Sequence, residues 1–413
     1  MAESKVIYTE VDLPEFDAID KKIADNGDIL YTLSPKERPT ECPECHSSSI
    51  HVHKKVTRQA QDLDIFGHRV GLLVDGRSYR CDSCGALIRM EYPSLSGRMT
   101  KRLADTITQE SFIYTFADVA RRHHTTTTTV ATLFNEKADE MMLQHKFVAP
   151  DVLGMDEVHL EDDYRGVYVH VNQTEGRVLE FTEKRNYKSV VKTLKSMEHP
   201  ENLKLVTMDM WKPYKQAVND LFPDVPIVID HFHVIKNLIK AMDDVRVTMS
   251  KSIKDTSQRK KLKHNRFLML TSNEDLTAKQ GKALAELFAA YPEFETVYTL
   301  KEAFRDIYNT ATSSAEGRQM FDEWIESCHS NGITAYDSFI NTVNTWSKEI
   351  FEYFDHPDVA RTNAQTESLN RTIRDTARQG RGYSFEVLRK KVILKKYMFE
   401  PTEKFSFKIF EDM

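Results

Sequence analysis

The sequence predicts a multidomain α+β/α protein with an N-terminal zinc-binding module, a helix-turn-helix, and an α/β domain that carries an all-helical insertion. Three observations predict it: two CxxC cysteine pairs, a helical pattern over residues 100–147, and the order βββαβαβ from residue 151. A chain of 413 residues is also too long for one ordinary core, so several domains are expected.

The composition is that of a globular protein. Hydrophobic residues make up 40% of the chain and charged residues 29%, which argues against disorder. No apolar run approaches the roughly 18 residues that a membrane-spanning helix requires. The first residues, MAESKVIYTEVDLPEF, lack the charged-then-apolar pattern of a secretion signal. We therefore expect a cytoplasmic protein, or one bound to the nucleoid.

Charge is unevenly distributed along the chain. The net charge of −6 gives no indication of a nucleic-acid partner. Between Arg361 and Lys396, however, ten basic and three acidic residues give a local net charge of +7. Such a run is usually a solvated face, and a DNA contact is the other interpretation.

Four of the five cysteines form CxxC pairs, Cys42 with Cys45 and Cys81 with Cys84, whereas Cys328 stands alone. Without a secretion signal, this spacing favours a metal over disulfides. Two such turns supply the four thiolates that structural zinc prefers, although two chance pairs of reduced cysteines are the alternative. Three nearby histidines could replace a cysteine, but four thiolates already complete the shell: His46, His51 and His53.

Between the cysteine pairs, residues 64–81 alternate like two short strands around Asp75-Gly76. This dipeptide is a typical turn of a β-hairpin, so the turn is expected there. Residues 1–40 carry few signals and are expected to form a mixed arm.

Residues 99–148 are expected to form a helix-turn-helix that binds DNA. The second helix has one apolar face, formed by residues at helical spacing: Val130, Leu133, Phe134, Ala138 and Met141. The threonines before it can cap the helix and present hydroxyl groups at its N-terminus. Because a recognition helix enters the major groove, four residues are expected to contact DNA: Arg121, Arg122, Thr127 and Thr128. A purely structural helical hairpin is the other interpretation.

From residue 151 the pattern changes to strands. Strands are expected at residues 152–160, 165–173, 176–182, 203–209 and 225–230, and helices at 187–197 and 212–222. The second and third strands are expected to pair as a hairpin across 174–176, within a mixed sheet covered by helices. Residues 231–355 show no strand pattern and are expected to be helical, and a last helix is expected from near Asn363.

These patterns divide the chain into six segments. They are an N-terminal arm (1–40), the zinc-binding module (41–98), the helix-turn-helix (99–148), the first part of the α/β domain (149–240), the helical insertion (241–355), and the last part of the α/β domain with a basic tail (356–413).

Three acidic residues are candidates for a catalytic metal site. Asp156 lies in an apolar strand and Asp209 ends another; burying two carboxylates at neighbouring strand ends is costly unless a cation binds them. Glu367 shares one helical face with three arginines, at i, i+4, i+7 and i+11: Arg371, Arg374 and Arg378. A plain salt-bridged surface helix is the alternative for this segment.

The acidic set suits phosphodiester chemistry. Carboxylates bind Mg²⁺ or Mn²⁺, and two ions roughly 4 Å apart can activate the attacking oxygen and stabilise the leaving one. The arginines can hold phosphates by paired hydrogen bonds. Asp230 competes with Asp209 as the second carboxylate, and we favour Asp209 because its strand leads directly into TMDMWKPY. His233 is expected to position a phosphate, a leaving group or a carboxylate, with a structural histidine as the alternative.

Five segments resemble one known family. GMDEVHL, VTMDMWKPY, VIDHFHVIKNLIKAMDDVR, YTLKEAFRDIY and RTNAQTESLNRTIRDTARQGRGYSFEVLR are similar to the ISL3 family of bacterial insertion-sequence transposases, over roughly residues 40–398. The resemblance implies an RNase H-like catalytic fold interrupted by a helical insertion. It also implies that Asp156, Asp209 and Glu367 form the acidic triad, and that Asp230 and His233 form an Asp-x-x-His element. Glu157, beside Asp156, is expected to point to the opposite side of the strand.

The resulting expectation is a DDE transposase. It would bind the inverted-repeat ends of an insertion sequence and catalyse Mg²⁺-dependent cleavage and strand transfer, with structural Zn²⁺ in the N-terminal module. Paired cleavage of two ends suggests a homodimer or higher oligomer on double-stranded DNA. The rival expectations are a DNA-binding regulator with an inactive core, a nuclease without joining activity, and a scaffold that uses zinc only for stability.

Overall fold

The computed structural model describes residues 11–161, 163–171, 176–357 and 364–395. The chain divides into two compact units at residues 144 and 145, and each unit has its own hydrophobic clusters. Among the described helices, none combines the length and apolar character that a membrane span requires.

A sheet dominates the first unit. Its strands within the described residues are β1 Phe16–Ile23, β2 Ile29–Pro35, β3 Ile50–Ile65, β4 His68–Cys81, β5 Leu87–Arg89, β6 Leu95–Ser96 and β7 Met99–Thr100. They follow the order β1-β2-β4-β3-β7-β6, and β5 pairs with β4. On β4, Val70, Leu72 and Val74 alternate toward the interior and are almost fully buried, as the two-residue period of a strand requires.

The hairpin turn differs from the sequence expectation. Asp75 and Gly76 lie inside β4, opposite Thr57 and Val56 of β3, and the turn is Phe66-Gly67 instead. Both turn residues have left-handed backbone angles, φ 52° and 80°, as a two-residue hairpin loop of this type needs. Gly76 has another reason to be glycine, because a Cβ there would lie 3.2 Å from the carbonyl oxygen of Val56.

The described part of the expected N-terminal arm is not an arm. Residues 16–35 form β1 and β2, an antiparallel pair whose second strand runs parallel to β4. Tyr31 and Leu33 are buried with the β4 core. The alternation on β2 was present in the sequence, but it is too short to distinguish a strand from a polar arm without its partner strand.

Three helices complete the first unit within the described residues: α1 Lys101–Ile113, α2 Phe116–Arg122 and α3 Thr127–Gln144. The side chains of Thr100 and Thr115 cap α1 and α2, and Thr126 accepts a hydrogen bond from the Thr129 amide at the start of α3. The apolar face expected on α3 is confirmed: the first three residues are buried and the last two half-buried, in the set Val130, Phe134, Ala138, Leu133 and Met141.

The second unit contains the mixed sheet that the sequence predicts. Its described strands are β8 Val152–Leu160, β9 Asp163–His170, β10 Arg177–Thr182, β11 Leu205–Met208 and β12 Ile227–Ile229, in the order β10-β9-β8-β11-β12. β8, β9 and β10 pair antiparallel, whereas β8, β11 and β12 run parallel. The connecting helices are α4 Tyr187–Lys195 and α5 Lys212–Leu221. Residues 172–175, where a hairpin connection was expected, lie outside the described residues.

Helices make up the rest of the second unit. They are α6 His231–Ser252, α7 Thr256–His264, α8 Arg266–Leu270, α9 Ala278–Ala290, α10 Pro292–Thr310, α11 Ser314–Ser330, α12 Asp337–Thr345, α13 Ser347–Phe351, α14 Ala364–Gly380 and α15 Phe385–Leu394, with 3₁₀ turns at Pro200–Asn202, Asn273–Asp275 and Glu352–Asp355. No described residue between 231 and 355 is in a strand, so the helical reading of this stretch is confirmed. Asn363, the expected start of the last helix, lies outside the described residues.

Candidate functional site

Three aspartates lie at one level of the parallel part of the sheet. Met208, the last residue of β11, is opposite Met155 on β8 and Ile229 on β12. The residue that follows each of these three strand positions is an aspartate: Asp156, Asp209 and Asp230. Equivalent positions on parallel strands lie side by side, so the carboxylates form a row at this edge of the sheet.

Asp156 is held from two sides. Asp156 is only 7% exposed, and its Oδ2 accepts a hydrogen bond of 2.7 Å from Nδ2 of Asn370 on α14. Oδ1 accepts from the Glu157 amide at 2.7 Å. Burial raises the pKa of Asp156, while the nearby His233 and the Asn370 hydrogen bond oppose that rise. Asn370 therefore favours the ionised carboxylate in a position where burial disfavours it.

The surroundings of Asp209 disfavour its ionised form in the absence of a cation. Burial, followed by the neighbouring Asp156 carboxylate, raises the pKa of Asp209 to about 6. Its Oδ1 is buried and has no hydrogen-bond partner among the described residues. Two carboxylates that repel each other in a buried position, one with an unpaired oxygen, are a donor set that suits a hard divalent cation such as Mg²⁺.

Asp230 has a structural task that Asp209 lacks. It is the N-cap of α6, where its Oδ1 accepts from the Phe232 amide at 3.0 Å. Nε2 of His233, one turn along α6, lies 3.9 Å from its other oxygen. A carboxylate that also caps a helix is less free to move toward a metal ion.

Glu367 lies in the first turn of α14 and is exposed. It lines a cavity of about 520 Å³ with Asp156, Asp230, His233 and Arg374. Within the described residues, the cysteines form the only group of three or more metal-binding side chains with ligand atoms within 4.8 Å of one another. The structure therefore brings Glu367 to the same cavity as Asp156 but not into a closed ligand cluster with both aspartates.

The three arginines on α14 do not share one environment. Arg374 lines the cavity of Glu367, Arg378 lines a neighbouring cavity of about 450 Å³, and Arg371 lines neither. At 100° per residue, Arg374 returns to within about 20° of Glu367 on the side of the buried face, whereas Arg371 is rotated by about 40° toward solvent. Helical spacing predicted that the three arginines lie near one face of α14, but that face extends beyond the cavity that Glu367 lines.

Sequence reasoning missed two residues of this site. Asn370 is three residues after Glu367, so the same helical spacing that selected the arginines could have found it. Arg185 has no local sequence signal. Its guanidinium lies 4.3 Å from the ring centroid of Tyr164 and 4.1 Å from that of Trp211, and it pairs with Glu157.

Glu157 follows its expectation only in part. Its carboxylate pairs with Arg185, whereas that of Asp156 bonds Asn370, so the two neighbours have different partners. Both nevertheless line the same cavity. Because side chains alternate along the strand, Asp156 and Glu157 contact different partners, but Glu157 still belongs to the site.

The four paired cysteines form a zinc site. Sγ of Cys42 lies 3.6 Å from Cys84, and Sγ of Cys45 lies 3.6 Å from Cys81. These distances are too long for disulfides and close to the roughly 3.8 Å edge of a tetrahedron with Zn–S bonds of about 2.3 Å. All four sulfur atoms lie within 4.8 Å of one another.

Two matched turns build the zinc site. The residue after the second cysteine of each pair is left-handed: His46 has φ 55° and Gly85 has φ 77°. Their amides donate to the carbonyl oxygens of Cys42 and Cys81 at 2.9 and 3.0 Å. Each turn thereby aims two sulfur atoms at one point. Of the histidines considered from the sequence, His51 instead approaches Asp82, at 2.7 Å.

The residues of α2 and α3 that are expected to contact DNA are exposed. Thr127 and Thr128 lie in the first turn of α3. Arg121 pairs with Asp118 of its own helix. Arg122 stacks on the Tyr114 ring, 3.9 Å from its centroid, and lies 3.5 Å from Glu110. Both arginines thus have partners within the protein, while the two threonines are exposed.

A four-cysteine zinc centre followed by a mixed α/β domain with clustered aspartates is the arrangement expected of a DNA transposase. Comparison with known proteins agrees. Residues 153–392 match the ISL3 family of DDE transposases, described as "Transposase", and residues 38–84 match the "zinc-finger of transposase IS204/IS1001/IS1096/IS1165". The chain is 27% identical over 357 residues to the "Transposase for insertion sequence element IS1001" of Bordetella parapertussis, covering 85% of this chain and 87% of that protein.

Because the transposase match spans more than half of the chain, this protein belongs to the ISL3 family of DDE transposases. The resemblance noted in the sequence is confirmed, and so is the expectation of an enzyme. The N-terminal match is confined to the segment that contains the four cysteines, which agrees with a zinc ribbon.

Proposed function

We propose that Asp156, Asp209 and Glu367 carry metal-dependent DNA cleavage at the ends of an insertion sequence, followed by transfer of the freed 3′-hydroxyl to target DNA. The observation that carries this proposal is the buried Asp156–Asp209 pair, in which the Asp156 carboxylate adds to the burial that raises the pKa of Asp209. Such a pair is costly in a folded protein unless a cation compensates it.

The metal would be Mg²⁺ or Mn²⁺, held by Asp156 and Asp209 and completed by Glu367. When bound, it supplies positive charge for phosphate oxygens and lowers the pKa of water. We assign the second carboxylate to Asp209 rather than Asp230 because Asp230 caps α6. Glu367 is exposed and lines the same cavity as Asp156, and from α14 it would complete the set.

Protein side chains would position the DNA around this set. Asn370 donates a hydrogen bond to Asp156 that favours its ionised form, and Arg374, on the wall of the same cavity, would bind a phosphate beside the scissile bond. His233 lies near both aspartates, where its positive form would steady a carboxylate or a phosphate. Arg371 and Arg378, farther around α14, would contact the flanking strand.

The N-terminal unit would recognise the inverted-repeat ends. In this proposal α2 and α3 act as a helix-turn-helix, with Thr127 and Thr128 at the end that approaches DNA and Arg121 and Arg122 beside them. The α/β domain would be RNase H-like, as the mixed sheet and its strand-end aspartates suggest. Two ends must be cut together, so we expect at least a homodimer on DNA, which the mass of the complex would reveal.

The decisive experiment is a cleavage and joining assay on duplexes that carry the element's own ends, with and without Mg²⁺. Asp209→Asn should abolish nicking and joining while end binding persists, because only the carboxylate charge is removed. Asp224→Asn is the matched control, since Asp224 is an exposed aspartate in the same unit that lines none of these cavities.

The outcomes separate the rival functions. Metal-dependent joining that Asp209→Asn loses and Asp224→Asn retains supports the transposase site. Full cleavage by Asp209→Asn contradicts the assignment of this carboxylate. Binding without cleavage by the wild type favours a regulator, and cleavage without joining favours a nuclease.

A further inference from the structure

The first unit has a second candidate site, a concavity of about 310 Å³ on the sheet of the zinc module. β3, β4 and β5 supply most of its lining, and Tyr92 closes one side. Four basic residues are among those that line it: Lys54, Arg58, Arg77 and Arg89. Arg77 is opposite Lys55, so the register places its side chain on the other face of the sheet. No acidic residue is among the lining residues.

Strand register explains why these groups converge. Lys54 of β3 is opposite Ser78 of β4, and Ser78 is opposite Arg89 of β5. Residues opposite one another in adjacent strands lie on the same face of a sheet. Arg58 lies four residues beyond Lys54 on β3 and shares that face, since side chains alternate with a period of two. Three cations from two outer strands therefore border a buried serine on the strand between them.

That serine is the second, independent indication of a ligand. Ser78 is only 2% exposed, and its Oγ is buried without a hydrogen-bond partner among the described residues. A buried hydroxyl without a partner is costly, so such groups normally meet a protein atom, a water or a ligand. Gly76 leaves the adjacent floor of the concavity free of a side chain.

The positive charge of the concavity is not neutralised from within. No ion pair joins Lys54, Arg58, Arg77 or Arg89 to a carboxylate of the described residues. Arg58 is instead held by the Tyr92 ring, 5.8 Å from its centroid, and by the Met90 carbonyl oxygen at 3.5 Å. By contrast, Lys55, the neighbour of Lys54 on the other face, pairs with Asp75 at 3.0 Å.

We propose that this concavity binds a phosphate group of the DNA backbone, with Lys54, Arg58 and Arg89 supplying charge and the Ser78 hydroxyl donating to a phosphate oxygen. The inference rests on the proposed function, in which the N-terminal unit binds element ends. A backbone contact fixes register without reading sequence, so it would act on specific and random duplexes alike.

The test is equilibrium binding of the full-length, zinc-loaded protein to a fluorescent duplex of the element's end, without Mg²⁺, between about 50 and 200 mM KCl. Lys54→Gln with Arg89→Gln should weaken binding about tenfold, on end and random duplexes alike. The negative slope of log K against log salt concentration should become less steep by about 0.9, the value of one lost phosphate contact. This readout needs no cleavage, so it holds or fails independently of the acidic site.

The matched control is Lys22→Gln with Arg38→Gln, which removes the same charge from exposed residues of the same unit outside the concavity. An equal loss in both double variants, or no loss in either, overturns the proposal. Zinc content and circular dichroism must match the wild type in both, so that misfolding is not read as lost contact.

Ser78→Ala tests the site without changing charge. It should weaken binding several-fold with the salt slope unchanged, because one neutral donor is lost. Unchanged affinity would contradict a phosphate contact at Ser78. If inorganic phosphate raises the melting temperature of the wild type but not of the Lys54/Arg89 variant, while both bind DNA equally, the site takes free phosphate and the DNA assignment is wrong.

Discussion

Asp209 gives the protein a stability that depends on pH. Its pKa of about 6 in the folded chain lies above the ordinary value of 3.8, so between these pH values the folded state holds more protons than the unfolded state. The contribution of Asp209 to stability therefore falls as pH rises from about 4 to 6 and stays low above that. Its neighbour Asp156 contributes in the same direction.

Asp209→Asn should for this reason raise the melting temperature of the metal-free protein by a few degrees near pH 8 and leave it nearly unchanged near pH 4. Mg²⁺ should stabilise the wild type near pH 8 but not the variant. Thermal melts at both pH values, with Asp224→Asn alongside, measure this. A variant that is less stable than the wild type near pH 8 would contradict the electrostatic account.

Asn370 is a positioning residue, because it acts through Asp156. Asn370→Leu removes the donor and leaves the carboxylate buried, so the pKa of Asp156 should rise further. The acid limb of the single-turnover cleavage profile should then move to higher pH, and more Mg²⁺ should be needed for half-maximal rate. Thr372→Leu, on the exposed side of α14, is the control. A lower rate with an unchanged pH profile would indicate a merely structural role.

At the scale of elements, two helices offer a matched pair of glycines. Gly281 and Gly317 each occupy the fourth position of a helix capped by a Thr or Ser side chain, α9 and α11. A Cβ at Gly281 would meet nothing within 4 Å, whereas one at Gly317 would lie 2.6 Å from the Phe354 ring. The same substitution should therefore have opposite signs in the two helices.

Gly281→Ala should stabilise the protein by about 0.5–1 kcal/mol, because alanine loses less backbone entropy in a helix. Gly317→Ala should destabilise it by about 1–3 kcal/mol through overpacking. Chemical denaturation of the second unit, followed by tryptophan fluorescence, measures both, since Trp324 is buried in α11. Equal effects of the two substitutions would show that helix propensity alone decides.

At the scale of the whole molecule, the two compact units have separate cores. The zinc site belongs to the first unit, where its buried cysteines Cys42 and Cys81 form a small cluster with Tyr79 and Ile88. The acidic site belongs to the second unit, whose large cluster runs from the sheet into the helical stretch. Structural zinc contributes folding free energy directly, so its loss should affect the first unit foremost.

Cys42→Ser, or zinc chelation of the wild type, should remove amide-exchange protection from β3 and β4 and abolish end binding. Protection of β8 and β11 should persist, because their core contains no zinc ligand. Hydrogen exchange read by mass spectrometry resolves the two regions, and Cys328→Ser, at a buried cysteine outside the zinc site, is the control. Unchanged zinc content in Cys42→Ser would contradict the four-thiolate assignment.

The sequence by itself determined the zinc ligands, the order of strands and helices in the second unit, and the acidic candidates at strand ends. These features are encoded locally: a CxxC turn needs only its own residues, and a period of two or of 3.6 residues is readable within one element. The capped start of α3 and its apolar face followed from the same local rules.

Only the tertiary structure decided which residues meet. Asn370 bonds Asp156 across 214 positions of the chain, and helical spacing could place Asn370 on the face of Glu367 but could not name this partner. Arg185 lies between Tyr164 and Trp211, and no local sequence signal predicts that position. The hairpin turned at Phe66-Gly67 instead of Asp75-Gly76 because pairing along the whole of β3 and β4 outweighs the preference of one dipeptide. Register and burial are collective properties of paired strands, so they fix the raised pKa of Asp209 and the basic concavity around Ser78, which no local pattern contains.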